Sequence, residues 1–432
     1  MKKFIFGFGL FLIFHSTVAA QQKLNLSKAI SIALKENMQI SVAKNSAEIA
    51  RNTASAAKAE ILPRFSVSGG VNYTDSDAPG VISGTYTTSS VGANISYTIF
   101  DGMGNIYRLK KVLSTGRIGL LEARKNIENT ILLVGQAYYQ AASSFEGLNI
   151  AVEALQISKE RLKRAEEKNV YGSGTSIDVL SANVAVNTDS VNVVNSIFLW
   201  NQARRNLNEL LNREIKLQFT VDTTVTFLKI ENLENLLFKA EKENAEYLIA
   251  IEQKKQAKYS KISAFSQMLP RFDLTGSVGY SRTGQNNSIG FDNMSKTIRA
   301  GLNVSLPVFN GGQMRIAFQN SKLLAENQSI LEKLSKRRLE RSVINAYEAY
   351  KNSRLLLKLE TQNLKAAELN FKRTYDLYQL GQVTTTQFRE AQLNLIKSKN
   401  VLQTSKYSAK INELKLKQIT GDIIIDNKIS LK

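Results

Sequence analysis

The segment Ile61-Leu-Pro-Arg-Phe65 recurs as Met268-Leu-Pro-Arg-Phe272, 207 residues further on, with only its first residue changed. At the same offset, Lys35-Glu36-Asn37 matches Lys242-Glu243-Asn244. Downstream the offset becomes 209: Ile99-Phe100-Asp101-Gly102 matches Val308-Phe309-Asn310-Gly311, and Tyr171-Gly172 with Ala182 matches Leu380-Gly381 with Ala391. The period is far longer than a solenoid repeat, so the chain divides into two similar halves, roughly 22–212 and 230–421. The step of two between Phe65 and Ile99 marks the place of a variable loop.

Each half carries two segments of period-two alternation. Phe65, Val67, Gly69, Val71 and Tyr73 alternate with Ser66, Ser68, Gly70, Asn72 and Thr74. Val91, Ala93, Ile95, Tyr97 and Ile99 alternate with Gly92, Asn94, Ser96 and Thr98. The second half repeats this from Phe272 to Tyr280 and from Ile298 to Leu306. Such alternation gives a strand one apolar and one polar face. Runs of about 9–11 residues match a tilted membrane-spanning strand. The polar stretches 74–90 and 281–296 read as exposed hairpin loops. A small soluble sandwich would show the same alternation, but the rest of the chain reads as helix. Four strands cannot close a barrel, for which about eight is the practical minimum, and open edges in lipid leave backbone groups unpaired. Spanning a membrane therefore requires several chains to pool strands, two giving eight or three giving twelve.

The remainder has the composition of long helices. Proline occurs four times in 432 residues, at 63, 79, 270 and 307, and never within the helical stretches. An interior proline costs a helix roughly 3 kcal/mol. The spacing predicts a helix over 104–170 and another over 312–379, each near 100 Å at about 1.5 Å per residue. Shorter helices are predicted over 26–62, 177–212 and 385–420.

The residue inventory excludes much chemistry. Cysteine is absent and the one histidine is His15. There is accordingly no thiolate metal site, disulfide or Cys nucleophile. Lys2 and Lys3, the apolar run Phe4–Phe14 and the small residues Val18-Ala19-Ala20 form an export signal over 1–20, with cleavage expected before Gln21. Removing its two lysines takes the formal charge from +20 to about +18. The basic clusters Arg161-Leu-Lys-Arg164 and Lys336-Arg-Arg-Leu-Glu-Arg341 are interleaved with glutamates in helical sequence. They read as solvated helix faces rather than a nucleic-acid surface. Phe65, Tyr73, Tyr97, Phe272 and Tyr280 sit where a membrane-interface aromatic belt would lie. No constellation for hydrolysis is present, and the chain is expected to be no enzyme and to bind no metal or cofactor.

The signal, Leu62-Pro63-Arg64-Phe65 and Leu269-Pro270-Arg271-Phe272 before the strands, Phe309-Asn310-Gly311-Gly312 after the fourth, and the turns 171–182 and 380–391 together resemble the TolC family of outer-membrane efflux proteins. The resemblance covers essentially the whole chain after the signal and rests on order and duplication rather than on one motif. It implies an internally duplicated α+β membrane protein. Four transmembrane β-strands per chain would join a homotrimeric 12-stranded barrel, and long coiled-coil helices would form a periplasmic α-barrel. The corresponding boundaries are a signal peptide over 1–20 and a first repeat over 21–212, with β-hairpin 65–100, tip 171–176 and helix 177–212. An equatorial connection follows over 213–232. The second repeat covers 233–420, with β-hairpin 272–309, long helix 312–379 and tip 380–384, and an equatorial tail covers 421–432.

The resemblance further implies an outer-membrane exit duct of a tripartite efflux pump, extending into the periplasm. Its partners would be a periplasmic adaptor (membrane fusion) protein, an inner-membrane pump and outer-membrane lipid. A duct for type I protein secretion, and a non-pore exported scaffold, are the alternatives. The barrel lumen would be lined by Ser66, Asn72, Asn94, Thr275 and Asn303. The family's periplasmic aperture is ringed by acids six and nine positions after the second tip glycine, where this chain has Gln387 and Glu390. The equivalent first-half positions hold Asp178 and Ser181, so the acidic ring is half present. Near a helix N-terminus, Asp178 and Glu390 also have an ordinary role opposite the helix dipole. The adaptor-contacting tips would be Gly172, Ser173 and Gly174 with Gly381, Gln382 and Val383.

Overall fold

The computed structural model describes residues 23–76, 84–229, 231–285 and 292–425. The export signal with its cleavage point, Pro79 and the end of the tail after Ile425 lie outside the described residues.

In chain order the elements are β1 (Lys23–Leu24), α1 (Leu26–Glu36), α2 (Met38–Ala56), a 3-10 turn (Ala57–Ile61), β2 (Arg64–Ser76), β3 (Gly84–Phe100), α3 (Gly104–Val170) and α4 (Ser176–Leu210). They continue with β4 (Thr220–Val221), α5 (Leu233–Glu243), α6 (Ala245–Ser266), β5 (Arg271–Gln285), β6 (Ser295–Ser305), α7 (Gln313–Gln379), α8 (Thr385–Thr420) and α9 (Asp422–Ile425). The chain forms two compact units. One comprises residues up to 37, 131–228 and 350–414; the other comprises 38–130, 229–349 and 415 onward.

The first unit is helical around an aromatic and aliphatic core. Ile131, Val134, Tyr138 and Tyr139 of α3 are buried, as are Trp200 and Leu207 of α4, Phe219, Tyr350 and Tyr407. Trp200 lies 6.1 Å from Phe219 and Tyr139 lies 6.0 Å from Tyr407, between ring centroids. A two-stranded parallel sheet, β1 with β4, completes the unit, and the hydroxyl of Tyr138 donates to the Asp222 carbonyl at 2.9 Å beside it. Burial raises that hydroxyl's pKa to about 12, so it stays a donor. The span 213–232, expected as a connection, thus contributes a strand. Two residues show no alternation, so no sequence pattern marked it.

The second unit holds a four-stranded antiparallel sheet of order β2-β3-β5-β6. Its strands outrun the expected alternating runs: β3 begins at Gly84, not Val91. Residues 85–90, Thr-Tyr-Thr-Thr-Ser-Ser, are polar on both faces and so lack the period-two signature, yet Thr and Tyr favour extended backbone. All six pair with β2, and residues 86–90 pair with β5 on the other side. The helices of this unit bury Glu252, which accepts from Lys255 Nζ at 2.7 Å, Ser114 Oγ at 2.8 Å and Arg117 Nε at 3.0 Å. Burial alone would raise its pKa; the three donors together hold it below the ordinary carboxylate value.

The helix expected over 26–62 is broken. Asn37 takes an extended backbone (φ −66°, ψ 127°) between α1 and α2. Its side-chain amide donates to the carbonyl of Leu210, at the end of α4, at 2.7 Å. The second half repeats the device. Asn244 separates α5 from α6, accepts from the backbone N–H of Tyr247 at 3.0 Å, and donates to the carbonyl of Ile419, near the end of α8, at 3.0 Å. The duplicated Lys-Glu-Asn segments are therefore paired helix breaks. Each asparagine satisfies a carbonyl that the end of a helix leaves without an intrahelical partner.

Candidate functional site

The sheet sorts its side chains sharply. One face carries Phe65, Val67, Ile95, Val278 and Ile298; Val67 is 80% and Ile298 is 68% exposed. Apolar side chains this accessible over four strands form a surface that monomeric soluble proteins rarely present. The opposite face carries the row Ser66–Asn94–Ser277–Arg299, with Thr275, Asn303 and Asn72 on the same side. All five residues expected on the lumen thus share one face. Asn303 Nδ2 donates to Thr275 Oγ1 and Asn94 Nδ2 to Ser68 Oγ, both at 3.4 Å. β2 and β6 are the sheet's edges, and each has one partner among the described residues.

The helix turns belong to the other unit and are built alike. At the first, Gly172 has φ +73°, its N–H donates to the carbonyl of Asn169 at 3.2 Å, and the N–H of Ser173 donates to that of Lys168 at 2.9 Å. At the second, Gly381 has φ +72°, and the bonds run from Gly381 to Tyr378 at 3.2 Å and from Gln382 to Leu377 at 2.9 Å. This pair of bonds closes a helix on a left-handed residue, where glycine carries no Cβ penalty. Ser173 and Gln382 supply backbone donors. Gly174 has no positive φ; a side chain there would meet Lys168 Cβ at 2.9 Å. Val383 is half-buried beside the second turn.

Two residues further on, each return helix starts with a capping box. The N–H of Asp178 donates to Thr175 Oγ1 at 3.2 Å, and Asp178 Oδ2 accepts from the Thr175 hydroxyl at 2.7 Å. The N–H of Gln387 donates to Thr384 Oγ1 at 3.2 Å, and Gln387 Oε1 accepts from the Thr384 N–H at 2.9 Å. Asp178 also accepts from the hydroxyl of Thr385 at 2.9 Å, which ties the two turns together. Hydrogen bonds from Thr175 and then Thr385 hold its carboxyl below the ordinary range. Asp178 and Gln387 are thus both committed to caps, while Glu390 is exposed on α8 and joins neither.

Behind the turns lies a cluster that the sequence did not advertise. Arg389 Nη1 donates to Asp189 Oδ2 at 2.9 Å, to Gln392 Oε1 at 3.0 Å and to Ser158 Oγ at 3.1 Å. Ser158 in turn donates to Asp189, and Gln392 Nε2 reaches the carbonyl of Ala154 at 3.1 Å. Ser158, Asp189 and Gln392 are buried. Arg161, expected on a solvated face, is 4% exposed; its guanidinium bonds Ser181 Oγ at 3.3 Å, and burial pulls its pKa down. It lies on the side of α3 that faces α4, where the long stem packs. Arg337, Arg338 and Arg341 of the other basic cluster are exposed as expected.

A family model described as outer membrane efflux protein matches residues 29–213 and again 236–422. The chain belongs to that family. The double match is the duplication read from the repeated segments. Among curated relatives of the family, the outer membrane protein TolC of Escherichia coli is 22% identical over 386 residues, covering 85% of this chain and 76% of TolC. Among solved structures, the Campylobacter jejuni CmeC outer membrane channel superposes with a TM-score of 0.80 at 19% identity, covering 92% of this chain and 85% of CmeC. The outer membrane protein VceC of Vibrio cholerae gives 0.79 at 16% identity, covering 92% and 96%. The fold is therefore that of the family's channels: duplicated, with long helices and a four-stranded sheet. The family is one of efflux proteins and not of enzymes.

Proposed function

We propose that this protein is an outer-membrane exit duct that works as a homotrimer. The observation that carries the reading is the sheet: one face apolar and exposed, the other polar, and both edges open. In lipid every strand edge must be paired. Three copies, with four strands from each, supply twelve strands and close a barrel whose polar faces line a bore. Ser66, Asn72, Asn94, Thr275 and Asn303 then face water inside, and Phe65, Val67 and Ile298 face lipid. The long helices continue the duct into the periplasm.

The helix turns are the docking end for a periplasmic adaptor, which in turn links the duct to an inner-membrane pump. Gly172, Ser173, Gly174, Gly381, Gln382 and Val383 form the contacting surface. Glu390 is the gate acid, because its side chain is exposed while Asp178 and Gln387 are held in caps. The domain boundaries follow the repeats, with 213–232 and 421–432 as the equatorial connections.

The test is fractionation followed by planar-bilayer recording. The expected outcome is an outer-membrane protein that runs as a heat-labile trimer and opens discrete channels, with Glu390→Ala altering conductance. A protein that stays soluble as a monomer and opens no channels would refute the duct.

A further inference from the structure

The polar face of the sheet is not neutral. Register places Arg64, Arg271 and Arg299 on it, with Asp273 as its only carboxylate among the described strand residues. Asp273 is already occupied: Arg271 Nε and Thr98 Oγ1 each donate to it at 2.7 Å. Arg64 and Arg299 are exposed, and neither makes an ion pair among the described residues. One stands on edge strand β2 and the other on edge strand β6. Among the described strand residues, the apolar face bears charge only toward the loop end, at Asp75, Arg282 and Lys296. Where the strands meet the helices, Arg64, Arg108 and Arg271 line a polar basin of about 450 Å³, which Glu60 also lines. Asp101 lies beside Arg108 and Arg271 in the adjoining hollow, and neither acid is ion-paired with Arg64 or Arg108. Arg64 and Arg271 are the same position of the duplicated Leu-Pro-Arg-Phe segment, the motif for which the duct reading alone gives no use.

We propose that the membrane section of the bore selects for anions, with Arg64 and Arg299 of each copy as the selecting residues. The inference rests on the duct reading. In the closed barrel, the edge strand β6 of one copy lies beside β2 of the next, so these arginines fall on neighbouring strands around the seam. An excess of fixed cations in a confined aqueous channel concentrates counter-ions of opposite sign. The favoured cargo class is then anionic solutes.

The experiment is the reversal potential of the full-length protein in a planar bilayer under a potassium chloride gradient. The wild type is expected to favour chloride over potassium. Arg64→Gln/Arg299→Gln should lower the chloride-to-potassium permeability ratio roughly threefold, and the corresponding lysine pair should retain it. Asp273→Asn, which frees Arg271, should shift the ratio the other way. Both arginines are exposed and unpaired, so their replacement leaves the folded sheet intact. A wild-type ratio of one or less, or a ratio unmoved by the double substitution, overturns the proposal while leaving the duct standing. Absence of any conductance rejects the duct reading and this inference with it.

Discussion

The two repeats share their turns and differ in what joins them. Gly172 and Gly381 adopt the same backbone, and Thr175 and Thr384 cap the same position. At the turns, the side-chain contacts that cross between repeats come from residues that the duplication did not keep alike. Asp178 reaches Thr385, and its counterpart 209 positions on is Gln387. Asp189 binds Arg389, whereas the equivalent positions hold Ser398 and Leu180. Repeats that kept both devices identical could pair each hairpin with its own kind. A charge in one repeat against an uncharged side chain at the equivalent position of the other removes that degeneracy, as buried polar residues do when they fix register in coiled coils. Shared residues make each turn; divergent ones decide which turn meets which.

The largest effect should come from breaking the divergent pair. Asp189→Ala leaves Arg389 without its carboxylate in a cluster where both side chains are largely buried. Loss of one partner of such a pair costs about 3 kcal/mol. Asp189→Ala/Arg389→Met should recover most of it, read as the thermal midpoint of the detergent-solubilised protein in a double-mutant cycle. Ser398→Ala, the same position in the second repeat, should change stability by no more than about 0.5 kcal/mol. Equal losses at Asp189 and Ser398 would show that the asymmetry has no energetic content.

A smaller and symmetric effect is expected at the shared device. Neither Gly172 nor Gly381 has a neighbour within 4 Å of an added Cβ, so the penalty for alanine is backbone strain alone. Each substitution should cost about 1 kcal/mol, equally in the two repeats. Unequal costs, measured by the same unfolding assay, would mean that one turn is held by more than its own backbone.

What was legible in the sequence follows the same division. The turns and the sorted strands repeat between the two halves, and local rules of glycine and of period two find them; the capping threonines Thr175 and Thr384 emerge only from the structure. Ser66, Asn94 and Thr275 fell on one face because alternation determines facing once a strand exists. The Asn37 and Asn244 breaks were visible only as repeat markers, since asparagine in mid-helix has no breaker signature as strong as proline's. The Asp189–Arg389 cluster left no trace, because its partners are 200 residues apart and break the repeat instead of following it. Arg161 was misplaced because a basic cluster mixed with glutamates has the same composition whether one member is buried or not. Residues 85–90 escaped because alternation vanishes when both faces of a strand are polar.

The smallest expected effect concerns pH and separates Asp178 from Gln387. Thr175 and then Thr385 donate to Asp178 and hold its carboxyl below the ordinary 3.8. A depressed carboxyl contributes stability that is present above its unfolded pKa and is lost as pH falls through the folded one. The contact between the turns should therefore loosen only in acid below about pH 4. Gln387 makes the equivalent cap without a titrating group, so the second turn should show no such dependence. Hydrogen exchange at the N–H groups of Asp178 and Gln387, followed from about pH 5 to pH 2.5 and corrected for intrinsic rates, reads the two side by side. Protection should fall at Asp178 and hold at Gln387, and Asp178→Asn should make the first turn as indifferent to pH as the second. A matching loss of protection at both turns would place the acid response elsewhere, with the buried carboxylate Glu252 of the sheet-bearing unit as the next group to test.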